Sequence, residues 1–336
     1  MTTSIEEFGL TADGETVERI TLIGGGLMAK VMTWGAVLQD LRLEDHKAPL
    51  VLGFPKFETY PEHSPYFGAI AGRVANRIAH GRYNVGDKTF QLDQNMPGGH
   101  TLHGGTMGVG KRLWSIADVG SRHVTLTLHD PDGMMGFGGA CDMTCEYTLK
   151  DNGTLSVALT SRVDQAGPVN LTHHSYFALD DTGDCRNLHM RIAADKITAV
   201  DEDMIVTGET PSVHGTAFDF SATRLVSAAM PPVGFFDHNF CLRDQRGNPQ
   251  ESALAFSPAS KVEMRVFTTE PGVQFYAGHK LNTPAGLTGQ PYKAHAGFCM
   301  EAQNWPDAVN HKHFPEAIVQ PDDPLRQVTE YRFKKR

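Results

Sequence analysis

Five short stretches of this 336-residue sequence concentrate side chains that can move protons or hold hydroxyl groups. Gly72-Arg73-Val74-Ala75-Asn76-Arg77 places two arginines and an asparagine among small residues. Thr101-Leu102-His103-Gly104-Gly105 sets a histidine against a glycine pair. Asn170–Phe177, reading NLTHHSYF, puts two histidines between apolar runs. Phe236-Asp237-His238-Asn239-Phe240 encloses an Asp-His-Asn cluster between aromatics, and Met300-Glu301-Ala302-Gln303-Asn304-Trp305 sets a carboxylate beside amides and an indole. Each stretch alone has an ordinary structural explanation; Asp237, for one, can hydrogen-bond turn amides. Together they supply the dense donors and acceptors that sugar hydroxyls need, with aromatic rings nearby for apolar C–H faces. A phosphate would call for a glycine-rich helix start, or for more basic residues than Arg73 and Arg77.

Other spacings are less informative. Gly24-Gly25-Gly26-Leu27-Met28-Ala29 formally fits a dinucleotide fingerprint, but the β-branched and glycine-interrupted Val31–Gly35 follows it where a helix must open. A hairpin turn explains these glycines better. His100-x-x-His103 and His311-x-His313 could each offer two metal ligands, yet no carboxylate or cysteine set completes a recognisable site. Turn or surface histidines are the expectation, and no metal is predicted. Cys141 and Cys145 would share one strand face as core thiols. The five cysteines contain no Cys-x-x-Cys and read as reduced, buried groups.

The elements that must position these groups are strands. His123–Leu128 and Leu155–Val163 alternate, and the latter follows Met143–Lys150 across Asp151-Asn152-Gly153, a hairpin chemistry. Val262–Thr268 and Val273–Ala277 form another pair around Thr269–Gly272, Asn84–Leu92 turns at Gly86-Asp87, and Gln327–Lys334 is a further strand. No stretch of 12 or more residues keeps a clean helical stripe free of Gly and Pro. Strands without intervening helices predict antiparallel sheets packed as a sandwich. No linker, repeat or charge run divides the chain, so one large all-β domain spanning residues 1–336 is expected. A net charge of −9 argues against a nucleic-acid binder. No run of 18 apolar residues exists, and the acidic N-terminal stretch lacks a signal-peptide pattern, so a cytoplasmic protein without membrane association is the expectation.

The ordered blocks carry a resemblance. GRVANRI at 72–78, LHGG at 102–105, NLTHHSYF at 170–177, DHNF at 237–240, PGVQFY at 271–276 and MEAQ at 300–303 occur in the sequence and order of the aldose 1-epimerase (galactose mutarotase) family. The likeness runs from Trp34-Gly35-Ala36 to Tyr331-Arg332-Phe333. It implies one galactose mutarotase-like super-sandwich, a large antiparallel β-sandwich. The implied activity interconverts the α and β anomers of a free aldose without metal or organic cofactor. In that reading Glu301 takes the proton from the C1 hydroxyl, His174 donates one to the ring oxygen, and His103 supports the reacting region. Arg73, Asn76, Asp237 and Gln274 match positions that hold sugar hydroxyls. The partners implied are a small aldose and at most a second copy of the chain, as monomer or homodimer.

The residue types suit the task. A carboxyl with a reference pKa of about 4.3 is a base at neutral pH, and an imidazole near about 6.5 is its natural acid partner. Such assistance is typically worth about 10²–10⁴-fold per group. The sequence departs from the family pattern at His173, where asparagine is common, at Ala178 and at Ala302. None removes a proton-transfer group, though all bear on sugar preference, and strand alternation would point His173 into the core, away from His174. Two alternatives remain open at this level: a sugar-phosphate 1-epimerase, and a non-catalytic sugar-binding protein on the same fold.

Overall fold

Alternation of apolar and polar residues organises the whole chain. In Cys141–Lys150 the side chains of Cys141, Met143, Cys145, Tyr147 and Leu149 are buried while their neighbours face outward. The computed structural model describes residues 3–336. It places this strand third in a nine-stranded antiparallel sheet, beginning Ser115–Val119, His123–Asp130, Cys141–Lys150 and Thr154–Val163. Leu325–Lys335 comes next, followed by Val262–Thr268, Gln250–Phe256, His189–Ile192 and Arg224–Leu225. The last long strand of the chain therefore lies in the middle of the largest sheet, hydrogen-bonded to Thr154–Val163 on one side and Val262–Thr268 on the other.

Two smaller sheets cover its inner face. One is a four-stranded meander, Ser4–Leu10, Thr16–Gly24, Leu27–Met32 and Val37–Leu43. The other has five strands in the order Tyr176–Phe177, Phe298–Gln303, Gly272–Tyr276, Asp237–Cys241 and Lys196–Ile197. Ile20, Leu22 and Leu41 of the meander, Phe240, Phe275 and Met300 of the five-stranded sheet, and Leu126, Val157 and Tyr331 of the large sheet belong to one buried apolar cluster. The buried Tyr147 hydroxyl ties the layers further by donating to the Ala36 carbonyl at 2.7 Å. Every strand pair among the described residues is antiparallel, and the one α-helix is the five-residue Thr59–His63. Among the described residues no helix is long and apolar enough to cross a membrane.

The all-β, antiparallel expectation is met, and the hairpins anticipated around Asp151–Gly153 and Gly86-Asp87 are present. Val262–Thr268 and Gly272–Tyr276 are both strands but do not pair, because the chain crosses at Thr269–Pro271 from the nine-stranded sheet to the five-stranded one. Gly25 and Gly26 make the turn between Thr16–Gly24 and Leu27–Met32, so the glycine motif is a hairpin and not a dinucleotide loop. All five cysteines are free and buried, with Cys141 and Cys145 facing the core from one strand.

The Gly25 turn also docks the meander on the large sheet. Its carbonyl accepts the Gly153 N–H at 2.7 Å, and a Cβ at Gly25 would lie 2.0 Å from the Lys150 carbonyl oxygen. Gly14 shares the left-handed conformation, with φ +81°, but has open space around it. Gly14→Ala should cost only the backbone term, about 1–2 kcal/mol. Gly25→Ala adds a backbone clash and should lower Tm clearly further. Equal Tm losses in thermal unfolding would contradict this account of the docking.

Candidate active site

The polar side of the five-stranded sheet builds the site. Phe298, Met300 and Ala302 face the core, so Cys299, Glu301 and Gln303 face the other way. Register then sets Asn239, Gln274 and Glu301 side by side across three strands, with Asp237, Tyr276 and Cys299 in the next row. The short strand Thr172–His173 pairs with Ile70–Ala71, and Arg77–Ile78 pairs with Thr101–Leu102. These two ladders carry His174, Asn76, Arg77 and His103 to the same place.

Glu301, His174, His103, Asn76, Arg77 and Asp237 line one cleft of about 250 Å³, with Tyr66, Tyr176, Tyr276 and Lys280 completing its walls. His174 Nε2 lies 3.5 Å from Glu301 Oε2, and this buried oxygen has no hydrogen-bond partner. The His103 and His174 rings meet edge to face at 5.1 Å, and Tyr66 packs against both. Behind His174, Cys299 Sγ is 3.7 Å from Nδ1. A larger groove of about 560 Å³, lined by Trp34, Phe57 and Lys111 among others, gathers no comparable acid–base group.

Burial dominates the electrostatics. It pushes the Glu301 carboxyl well above the ordinary carboxylate range, with nearby Asp237 adding to the rise and Arg77 opposing it. Burial takes His174 down to about 4, against the pull of its own backbone carbonyl and Asp237. His103 is also held well down, first by burial and then by His174, Arg77 and Lys111. Glu301, His174 and His103 are only 3%, 5% and 6% exposed, so a proton shared within this group is poorly screened by water.

These three residues each offer one ligand atom within 4.8 Å of the others, so a metal deserves testing against the geometry. His103 Nδ1 accepts the Asn76 backbone N–H at 3.2 Å. In the neutral ring Nε2 must then carry the hydrogen, and a metal would require a lone pair there. His103 is thereby arranged to donate a hydrogen bond from Nε2 and not to ligate. The other histidine spacings do not converge. His100 Nδ1 accepts the His80 N–H at 3.0 Å, while His313 Nε2 contacts the Gly208 carbonyl at 2.8 Å.

Two of the residues expected at the sugar, Arg73 and Gln274, are absent from the cleft lining. Arg73 does not reach the cleft: its guanidinium donates to the Gly139 carbonyl at 2.7 Å, lies 3.7 Å from Asp130 and is 1% exposed. The neighbouring Arg77 lines the cleft, 3.6 Å from Asp237. Gln274 Nε2 donates to Asp237 Oδ1 at 2.7 Å, while its buried Oε1 has no hydrogen-bond partner. His173 faces the core between Tyr147 and Tyr331 and pairs with Ser175 Oγ at 2.9 Å, as strand alternation requires. Tyr66, which follows the short helix, carried no sequence signal; only the fold brings it over both imidazoles.

Residues 18–332 match the family model described as aldose 1-epimerase. The chain is 39% identical to galactose mutarotase of Rattus norvegicus over 332 residues, covering 96% of each. It is 33% identical to aldose 1-epimerase of Escherichia coli (strain K12), covering 96% of this chain and 97% of the relative. Among solved structures, an aldose epimerase homologue from C. elegans superposes with a TM-score of 0.89 at 27% identity, covering 94% of this chain and 98% of its own. Galactose 1-epimerase from Lactobacillus acidophilus gives 0.86 at 26%, covering 100% and 99%. With the sandwich, the cleft and near full-length similarity in agreement, this chain belongs to the aldose 1-epimerase family.

Proposed function

We propose that this chain is an aldose 1-epimerase that interconverts the α and β anomers of a free aldose such as galactose or glucose. The observation that carries the reading is the convergence of Glu301 and His174, 3.5 Å apart, in one cleft. The two oxygens of an anomeric centre share one carbon, so an acid and a base serving them must lie this close. Glu301 as carboxylate takes the C1 hydroxyl proton, the C1–O5 bond breaks as C1 becomes an aldehyde, and O5 receives a proton from His174. Rotation about C1–C2 presents the other face of the carbonyl. O5 then attacks C1 and returns its proton to His174, while Glu301 returns a proton to the new hydroxyl.

His103 contributes a neutral N–H donor to the oxygens that change charge. Arg77 and Asp237 hold hydroxyl groups more remote from C1, and Gln274 steadies Asp237. The working form of the acid–base pair holds one proton in total. Burial favours that proton on Glu301 in the empty cleft, and moving it to His174 gives the arrangement that reacts. A second proton removes the base, and loss of the only proton removes the acid.

Three outcomes follow from these assignments. Polarimetry from pure α-galactose or α-glucose, with the spontaneous rate subtracted, should show acceleration that falls at least about 10²-fold in Glu301→Gln. Sugar binding should persist in that variant; retained turnover would remove Glu301 as the base. The profile of kcat/KM against pH should be bell-shaped, with the alkaline limb belonging to the raised Glu301 and the acid limb to His174 at about 4. Loss of activity on the acid side already at about 6.5, the ordinary imidazole value, would contradict the desolvated pair. The two arginines should separate cleanly. Arg77→Met raises KM, whereas Arg73→Met lowers Tm because it leaves the Gly139 carbonyl and Asp130 short of a buried partner. The opposite pattern would restore Arg73 as the sugar contact.

A further inference from the structure

Asn76 and His103 sit one residue beyond the Arg77–Leu102 pair of their short ladder, and they hold each other reciprocally. The His103 backbone N–H donates to the Asn76 carbonyl at 3.0 Å, and the Asn76 backbone N–H donates to His103 Nδ1 at 3.2 Å. Asn76 adopts φ +60°, the left-handed region where asparagine is several-fold enriched and β-branched residues are outliers. Its side-chain Oδ1 accepts the Arg77 backbone N–H at 2.9 Å and approaches Arg77 Nη1 at 3.4 Å. The other end of that guanidinium faces Asp237. All of Asn76, Arg77 and His103 are buried, so these contacts are sheltered from competing water.

We propose that Asn76 is a positioning residue with two separable roles: its backbone N–H fixes His103 with the proton on Nε2, and its side chain sets the Arg77 guanidinium. The inference rests on the epimerase reading for its consequences in turnover, though the tautomer itself does not depend on that reading. An imidazole that accepts at Nδ1 must be neutral and protonated at Nε2. A doubly protonated ring would set one N–H against another, so the Asn76 contact opposes charging in the same direction as burial. His103 is thereby kept as a neutral donor toward the sugar, and the charged imidazole role falls to His174 alone. Arg77 is held from two sides, by an amide oxygen and a carboxylate, so its remaining donors are aimed before the sugar arrives.

The two roles are distinguished by substitution. Asn76→Gly keeps the backbone N–H and tolerates the left-handed φ but removes Oδ1. Its expected effect is a rise in KM of roughly tenfold, the scale of one hydrogen bond to a charged group, with a much smaller change in kcat than His103→Asn produces. Asn76→Val strains the same φ, displaces the N–H and should lower kcat. Ring ¹⁵N shifts of His103 in the full-length protein should show the Nε2–H tautomer in wild type and in Asn76→Gly, and a mixture in Asn76→Val. A wild-type His103 protonated at Nδ1 would overturn the proposal even if the valine variant failed to fold. So would an Asn76→Gly variant that lost kcat as His103→Asn does, with KM unchanged, since the side chain itself would then act on the reacting atoms. Absence of turnover on every aldose would sink the epimerase reading while leaving the tautomer measurement to decide this one.

Discussion

A strand has two faces, and in Phe298–Gln303 one face is the oily interior while the other carries a carboxylate out of water. Phe298 and Met300 lie in the main apolar cluster, and Glu301, the residue after Met300, looks into the cleft. The same division runs through Asp237–Cys241 and Gly272–Tyr276. A one-residue slip of register would exchange these faces, placing Glu301 in the core and Met300 in the cleft. The sandwich therefore fixes the chemistry as firmly as it fixes the fold, because neither face can move without the other.

Holding Glu301, His174 and His103 out of water works against stability, since each charged form is destabilised by burial. The fold offsets this by leaving the group net poor in charge and by surrounding it with polar neighbours in fixed positions. Gln274 holds Asp237, Asp237 faces Arg77, Asn76 meets Arg77 and His103, and Tyr66 and Tyr176 pack on the imidazoles. Such an arrangement is already organised for the charge that moves during ring opening, so little of it must be rebuilt in the reaction.

Much of this was legible in the sequence because alternation is a local signal. The strands around Asp151–Gly153, the glycine turn at Gly25, and the opposed directions of His173 and His174 all follow from two-residue periodicity. Arg73 was misread because it and Arg77 sit in the same motif, and nothing local says which guanidinium meets backbone carbonyls. That depends on Gly138 and Gly139, more than sixty positions away in the chain. Gln274 was placed in the right row, but its hydrogen bond to Asp237 is a property of adjacent strands in register. Tyr66 and the left-handed φ of Asn76 belong to connecting backbone, where hydrophobic pattern carries no information.

The central position of Leu325–Lys335 has a consequence for how the protein comes into being. Until that segment is available, Thr154–Val163 and Val262–Thr268 have no common neighbour, and the nine-stranded sheet exists only as two halves with open edges. During synthesis all the other strands of both halves emerge before the segment that joins them. Closure of the large sheet thus waits for Leu325–Lys335, and until then the emerging chain carries unpaired strand edges, the situation in which chaperones guard against aggregation.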